Sequence, residues 1–302
     1  MNNNKLTLLL FTSVCIIWGT TWYAMEIAVQ TIPPVLATGL RFLIAFPILM
    51  LISIAFKKPI FFPKGKIKWL PLISIFYFSI PFSLMIMGEM YISSGLASII
   101  FANMPIAVMF ASMLFLNLKL NKNQILGTFI SVFSLVAIIA IELELSGEGL
   151  ITGSLCLISA VLIHALMYVF VKKTCSDIHV LTYNTLPTGF SSLILITLSL
   201  LLEEPNIDAF SSQSLYSVIY LGLFASVGGI LAYFMLGQVS SPFIASQCFL
   251  IFPLIAISIN KVFTTNPISE FSLMLLLPLL LGIMLTKLKV SLKPLRLSIH
   301  KA

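Results

Sequence analysis

Apolar residues in this chain come in ten long blocks, and the breaks between them are short and polar. The blocks fall at roughly 6–25, 34–56, 69–90, 94–116, 124–142, 150–171, 179–202, 214–236, 242–262 and 270–287. Each matches the ~20 residues that a helix needs to cross the hydrocarbon core of a bilayer. Short connections make neighbouring spans antiparallel. The longest connection, around Glu203–Ser214, has about a dozen residues, too few for a soluble domain.

Composition agrees with this reading. Of the 302 residues, 59% are apolar and 9% are charged, against about 25% charged in soluble domains. A soluble enzyme, a nucleic-acid binder and a disordered chain are excluded first, leaving a polytopic, all-α membrane protein. The four cysteines, Cys15, Cys156, Cys175 and Cys248, form no C-x-x-C pair. Neither a disulfide framework nor a metal site is expected. The first block, Leu6–Tyr23, is long for a signal-peptide core and has no small-x-small cleavage site, so it reads as a retained span.

The net charge of +7 is an orientation signal rather than a nucleic-acid footprint. Ten spans place both termini on one side. Fifteen of the seventeen basic residues fall there: Lys5, the cluster Lys57–Lys68, Lys119, Lys122, Lys172, Lys173 and the tail from Lys287 to Lys301. Seven of the ten acids fall opposite: Glu142, Glu144, Glu148, Glu203, Glu204, Asp208 and Glu270. Most of these loop charges are expected to be solvated anchors. The positive-inside rule makes both termini cytoplasmic, in a cytoplasmic (inner) membrane. The tail is expected to touch anionic lipid.

The two halves repeat weakly at a period of about 148 residues. Ser94-Gly-Leu-Ala-Ser-Ile-Ile-Phe-Ala-Asn-Met-Pro105 in span 4 parallels Pro242-Phe-Ile-Ala-Ser-Gln-Cys-Phe-Leu-Ile-Phe-Pro253 in span 9. Just upstream, Met87-Gly-Glu89 parallels Leu236-Gly-Gln238. Each half holds five spans, an odd number, so the second copy enters the membrane upside down. Residues 1–145 are the first repeat, 146–288 the second, and 289–302 a basic cytoplasmic tail. Inverted repeats are a construction of carriers, with the site near the midplane between halves.

The chain resembles the EamA-type transporters of the drug/metabolite transporter superfamily. The resemblance runs through Trp18-Gly-Thr-Thr-Trp22, Ile32-Pro-Pro34, Arg41-Phe42, Ser94–Ser98, Pro105 and Gly127. It resumes at His164–Tyr168, Ala245-Ser246, Pro253, Asn266–Ser269 and Gly282. It implies ten helices, both termini inside, a cavity walled by spans 1, 3, 4, 6, 8 and 9, and export or exchange of small polar metabolites. The chain departs from the family's usual pattern at Leu118 and Asn266, where a Gly-Glu acid is common. It departs also at Glu26, where many members have Lys, and at Glu89 and His164, in place of an apolar residue and a Trp.

Ionisable groups within spans cost roughly 2.5–3.5 kcal/mol on insertion scales, so each needs a partner or a purpose. Arg41 lies roughly 10 Å along span 2 from its outer end. Glu89 ends span 3 and Glu26 ends span 1 on the same side. Three readings of Arg41 stand: an ion pair with Glu89 or Glu26, a cavity charge for a carboxylate or zwitterion, and snorkelling to the interface. Glu89 and His164 are the candidate proton-coupling groups, against a solvated lip carboxylate and a packed histidine. Trp18 and Trp22 share one face of span 1, with Thr21 beside them. Asn103, Tyr168, Tyr183, Asn184, Tyr233 and Gln247 complete the candidate lining, against plain helix–helix packing. The proposed substrate-binding set is Trp18, Trp22, Arg41, Glu89, Asn103, His164, Tyr168, Tyr233 and Gln247. Pro105 and Pro253 are candidate hinges, since each frees a carbonyl and permits a kink.

The sequence therefore points to a secondary active carrier of small polar metabolites, such as amino acids or derivatives. It is expected to work by alternating access without cofactor or metal. The partners expected are a small-molecule substrate and membrane lipid, with no nucleic acid, in a monomer or homodimer. An intramembrane enzyme would need paired aspartates or H-E-x-x-H, and neither is present in the spans. A channel-like or non-transporting membrane subunit is the alternative.

Overall fold

Each of the ten apolar blocks is a helix in the computed structural model, which describes residues 3–117, 119–146, 149–240, 242–264 and 268–287. Span 1 is Asn3–Ala28, span 2 Pro34–Ala55, span 3 Trp69–Gly88, span 4 Ser94–Leu116 and span 5 Lys122–Ser146. Span 6 is Gly149–Thr174, span 7 Val180–Leu202, span 8 Ser212–Val239 and span 10 Glu270–Lys287. Span 4 is two pieces, Ser94–Ala102 and Met104–Leu116, and so is span 9, Pro242–Ser246 and Cys248–Phe263. Leu118, Glu148, Asn266 and the tail 289–302 lie outside the described residues. Among the described residues all four cysteines are free.

The packing partners repeat between the halves. Span 2 packs on span 7 and span 5 on span 10. Span 1 packs on spans 8 and 9, and span 6 makes the corresponding contacts with spans 3 and 4. Spans 4 and 9 meet each other. This pattern is that of two five-helix units related by a twofold axis in the membrane plane. Span 5 shows the outer side of the bundle. Its Leu126, Phe129, Phe133 and Val136, spaced three or four apart, are all more than half exposed. Lipid is the natural solvent for such a stripe.

The same symmetry appears in the irregular turns. Span 3 is π-helical over Ser74–Ser79, and span 8 is π-helical over Leu221–Gly229, close to one repeat apart. A π turn leaves a carbonyl without its usual helical donor. In span 3 the Ser74 carbonyl accepts from Ser79 Oγ at 2.9 Å and from Ser191 Oγ of span 7 at 2.8 Å. Hydroxyls from inside and outside the helix thus satisfy the freed group, as a bilayer interior requires.

Spans 4 and 9 are tightened at Asn103 and Gln247. At each, the amide bonds to the carbonyl three residues back, and the carbonyl accepts from three residues ahead. The sequence expectation of matched kinks at Pro105 and Pro253 meets two different arrangements. Pro105 follows the Asn103 break directly, whereas Pro253 sits inside the continuous helix Cys248–Phe263. The break in span 9 falls about one turn before the position that the repeat would give. Proline removes one backbone bond, but neighbouring helices decide where the chain turns.

Three acids read as solvated or lip charges cap helices instead. Glu203 at the end of span 7 accepts from the amides of Val35 and Leu36 at 2.9 and 3.0 Å, at the start of span 2. Glu142 of span 5 accepts from the Ser269 amide at 3.0 Å, just before span 10. Glu26 of span 1 accepts from the Ser94 amide at 3.1 Å, at the start of span 4. A helix N-terminus presents unpaired N–H groups and the positive end of its dipole, so a carboxylate from an adjacent span end suits it. Two of these caps join the halves. Glu203→Ala is expected to lower stability by about 1–2 kcal/mol, read as a lower melting temperature in detergent, with Glu203→Gln in between. An unshifted melt for Glu203→Ala would show that the cap contributes nothing.

On the opposite, basic face, Lys66 pairs with Asp177 and donates to the Thr174 carbonyl at 2.8 Å. It is the ion pair found among the described residues. The bond from Lys66 holds the exposed Asp177 carboxyl below its ordinary range. Its contribution is therefore present at neutral pH and fades as pH falls through that lowered pKa.

Candidate transport cavity

A cavity of about 360 Å³ lies between the repeats. Among the described residues its lining comes from spans 1 to 4 and 6 to 10, and not from span 5. Spans 2, 7 and 10 are additions to the six walls that the family resemblance implied. Span 2 contributes Arg41, span 7 Tyr183 and Asn184, and span 10 Lys287.

The lining is placed asymmetrically. Tyr183, Ser246 and Lys287 belong to the first or last turns of their helices at the basic face. Toward the acidic face the bundle is filled by Met25, Ala28, Ile86, Ala97, Ile99 and Ala256, each at most 1% exposed and all in one core cluster. The cavity therefore occupies the middle and basic half of the protein, and the acidic half is packed shut. Close approach makes the seal possible. A Cβ on Gly95 would stand 2.7 Å from Ile268, and one on Gly88 only 1.8 Å from Leu157.

The walls are aromatic. Trp18 lies 4.9 Å from Tyr233 and 5.5 Å from Phe249, centroid to centroid. Trp22 lies 5.3 Å from Phe101 and 6.3 Å from Phe252. His164 is set among Tyr77, Phe82 and Phe101 at 4.7, 5.5 and 6.2 Å. These spacings are those of offset and edge-to-face ring pairs, which hold their geometry better than aliphatic chains.

Arg41 is 4% exposed and lines this cavity. The ion pair with Glu89 or Glu26 is not formed among the described residues. Glu26 is turned to the start of span 4. Arg41 instead donates from Nε to Ser226 Oγ at 2.6 Å and reaches Met25 Sδ at 3.7 Å. Its guanidinium lies 4.9 Å from the Phe82 centroid. Ser226 belongs to the π-helical stretch of span 8. Close packing of Gly222 on the Arg41 backbone brings that stretch up to span 2, since a Cβ there would be 3.0 Å from the Arg41 carbonyl.

Of the nine proposed binding residues, Trp18, Trp22, Arg41, His164, Tyr168 and Tyr233 line the cavity, as does Pro105 of the two hinges. Phe252, the neighbour of Pro253, also lines it. Glu89, Asn103 and Gln247 are not among the lining residues. Each keeps a buried polar atom without a hydrogen-bond partner among the described residues: both Glu89 carboxylate oxygens, Asn103 Oδ1 and Gln247 Nε2. His164 Nδ1 is in the same condition. Buried polar groups are nearly always paired in folded proteins, so these atoms are available to a ligand or to water, as are the unpartnered groups of Ser83, Thr128, Ser154, Ser199 and Asn260 elsewhere in the bundle.

Sequence reasoning missed the phenylalanine walls, because a Phe in a membrane span carries no signal of which way it points. It missed Lys287 for a different reason. Read as the first residue of a lipid-facing tail, Lys287 turns inward, donates to the Ser246 carbonyl at 2.5 Å and lies 6.0 Å from the Phe249 centroid. No group of three or more His, Cys, Asp or Glu able to hold a metal occurs among the described residues.

Comparison with known proteins agrees with this architecture. The model of the EamA-like transporter family matches twice, over residues 5–140 and 151–288. Protein PagO of Salmonella typhimurium is 49% identical over 278 residues, covering 92% of this chain and 91% of that protein. A protein of Buchnera aphidicola subsp. Schizaphis graminum, named as an uncharacterized transporter, is 43% identical, covering 94% and 95%. A solved crystal structure superposes with a TM-score of 0.63 at 15% identity, covering 93% of this chain and 95% of that one, a likeness of fold alone. Ten spans, a doubled five-span unit matched in both copies, and relatives alike over nearly their whole length lead to one conclusion: this chain is a multi-pass membrane protein of the EamA-like transporter family.

Proposed function

We propose that the protein is a secondary active carrier of small polar or amphipathic metabolites, working by alternating access as an exporter or exchanger in the cytoplasmic membrane with both termini inside. The observation that carries this reading is the cavity between the repeats, which occupies the basic half while the acidic half is packed shut. A single-sided cavity suits one of the two states of a carrier. A channel-like subunit would call for a path through both halves. With the positive-inside assignment, the basic half faces the cytoplasm.

Moving parts are available where the state must change. The paired π-helical stretches of spans 3 and 8, and the tightened turns at Asn103 and Gln247, lie on both sides of the cavity. Broken helices of this kind can reorient without unfolding. Trp18, Trp22, Tyr168 and Tyr233 hold the apolar part of the substrate and Arg41 its charge. Glu89, buried and without a hydrogen-bond partner among the described residues, is assigned to proton coupling, with His164 as the second candidate.

The test is uptake of labelled amino acids and polar metabolites into proteoliposomes, with and without a pH gradient, comparing wild type with Glu89→Gln. Saturable uptake driven by the gradient in wild type, and insensitive to it in the variant, is the expected result. Gradient-driven uptake that persists unchanged in Glu89→Gln would remove Glu89 from the coupling step. Absence of saturable flux for every compound tried would count against the carrier itself.

A further inference from the structure

The charge inventory of the cavity narrows its ligand. Among the described residues its lining contains two basic side chains, Arg41 and Lys287, and no aspartate or glutamate. Glu89, the acid that the sequence placed in the site, is buried and is not among the lining residues. We infer that the cavity binds organic anions with a flat, apolar body, in preference to amines and zwitterionic amino acids. This rests on the carrier reading above and specifies its substrate class.

Arg41 supplies the first reason. A guanidinium has five N–H donors in a planar fork and matches a carboxylate bidentately. Here the Ser226 hydroxyl and the Met25 thioether take bonds from Nε and Nη1, and no described hydrogen bond uses Nη2. A buried cation without a carboxylate partner is costly, and an arriving anion supplies that partner. Lys287 supplies the second reason. It stands at the basic-face end of the same cavity with a single described acceptor, the Ser246 carbonyl. An ammonium group on the ligand would meet two basic side chains and, among the described lining residues, no acid.

The body of the ligand follows from what lies between the two cations. Phe82 lies under Arg41, and Phe249 lies under Lys287. Ring contacts join them without a gap through His164, Phe101, Trp22 and Phe252. An aromatic wall of this kind takes a planar ring by stacking or edge contact.

The experiment uses the full chain in detergent with Trp69→Phe. Trp69 packs on Phe170 outside the cavity, so the remaining tryptophans, Trp18 and Trp22, both report from the lining. Their fluorescence is titrated with 3-phenylpropionate, its neutral amide, phenethylamine, phenylalanine and the ring-free acid butyrate. The expected result is saturable binding of 3-phenylpropionate about ten-fold or more tighter than that of the other four, a difference of about 1.4 kcal/mol. Arg41→Met abolishes the preference and Lys287→Gln weakens it. If Arg41→Met does not fold, Lys287→Gln alone decides. Phenethylamine or phenylalanine binding as tightly as the acid, no saturable binding of the acid, or an affinity indifferent to the substitutions would overturn the inference. Counterflow in proteoliposomes separates the two readings. Binding of the acid without flux would sink the carrier and leave the anion site, whereas flux of phenylalanine with no preference for the acid would do the reverse.

Discussion

Gly127→Val is expected to cost most or all of the folded protein. Spans 5 and 10 touch backbone to backbone at two glycines. A Cβ on Gly127 would stand 2.5 Å from the Gly282 carbonyl oxygen and 2.9 Å from the Thr286 amide nitrogen. A Cβ on Gly282 would stand 2.6 Å from the Gly127 carbonyl oxygen and 2.5 Å from Ser131 Oγ. That hydroxyl also donates to the Leu279 carbonyl at 2.8 Å, so it is not free to swing away. Backbone atoms cannot yield as a side-chain end can. The helices must part, and in lipid there is no hydrophobic drive to hold them together once close packing is lost. Overpacking commonly costs about 1–3 kcal/mol, and more where backbone is forced apart. Gly237→Ala is the control, because no described atom lies within 4 Å of a Cβ there and alanine favours a helix over glycine. The expected result is aggregation or a strongly lowered melting temperature for Gly127→Val, a smaller loss for Gly127→Ala, and no loss for Gly237→Ala. A Gly127→Val protein that elutes monodisperse and melts like wild type would show that the contact is looser than described.

Arg41→Met is expected to separate activity from stability. Transport should fall about 100-fold or more, on the scale of losing one partner of a buried, hydrogen-bonded charge pair. The melting temperature should hold or rise, because methionine removes a buried cation that has no ion pair among the described residues and keeps the stem's packing. A residue that merely braced spans 2 and 8 through Ser226 would give the opposite pairing: a lower melt, and flux reduced only in proportion to folded protein. Arg41→Lys should recover only part of the transport, since a compact ammonium on a flexible stem cannot present the planar fork. Flux and melting curves from the same preparations decide between these outcomes.

Span count, span limits and the charge bias between the two faces were legible from sequence, because each is a sum along the chain. Twenty apolar residues in a row have one affordable place, and loop lysines are counted without knowing what they touch. The repeat was legible for the same reason, since Ser94–Pro105 and Pro242–Pro253 are compared letter by letter. Trp18 and Trp22 could be read together because residues four apart share a helix face.

Partners were not legible. The pattern offered Arg41 two acids at its own depth, and the fold gave it Ser226 of span 8 and the face of Phe82. Glu203 and Glu142 looked like loop charges, and became caps because spans 2 and 10 begin beside them. Lys287 read as the start of a tail and turned into the cavity. A membrane span is apolar on nearly all sides, so hydropathy fixes its length and leaves its rotation open. Rotation is set by close packing at sites such as Gly127 on Gly282 and Gly222 on the Arg41 backbone. The sequence by itself therefore determined ten helices in two copies of five, while only the tertiary structure decided which side chains face one another, because that depends on contacts between residues far apart in the chain.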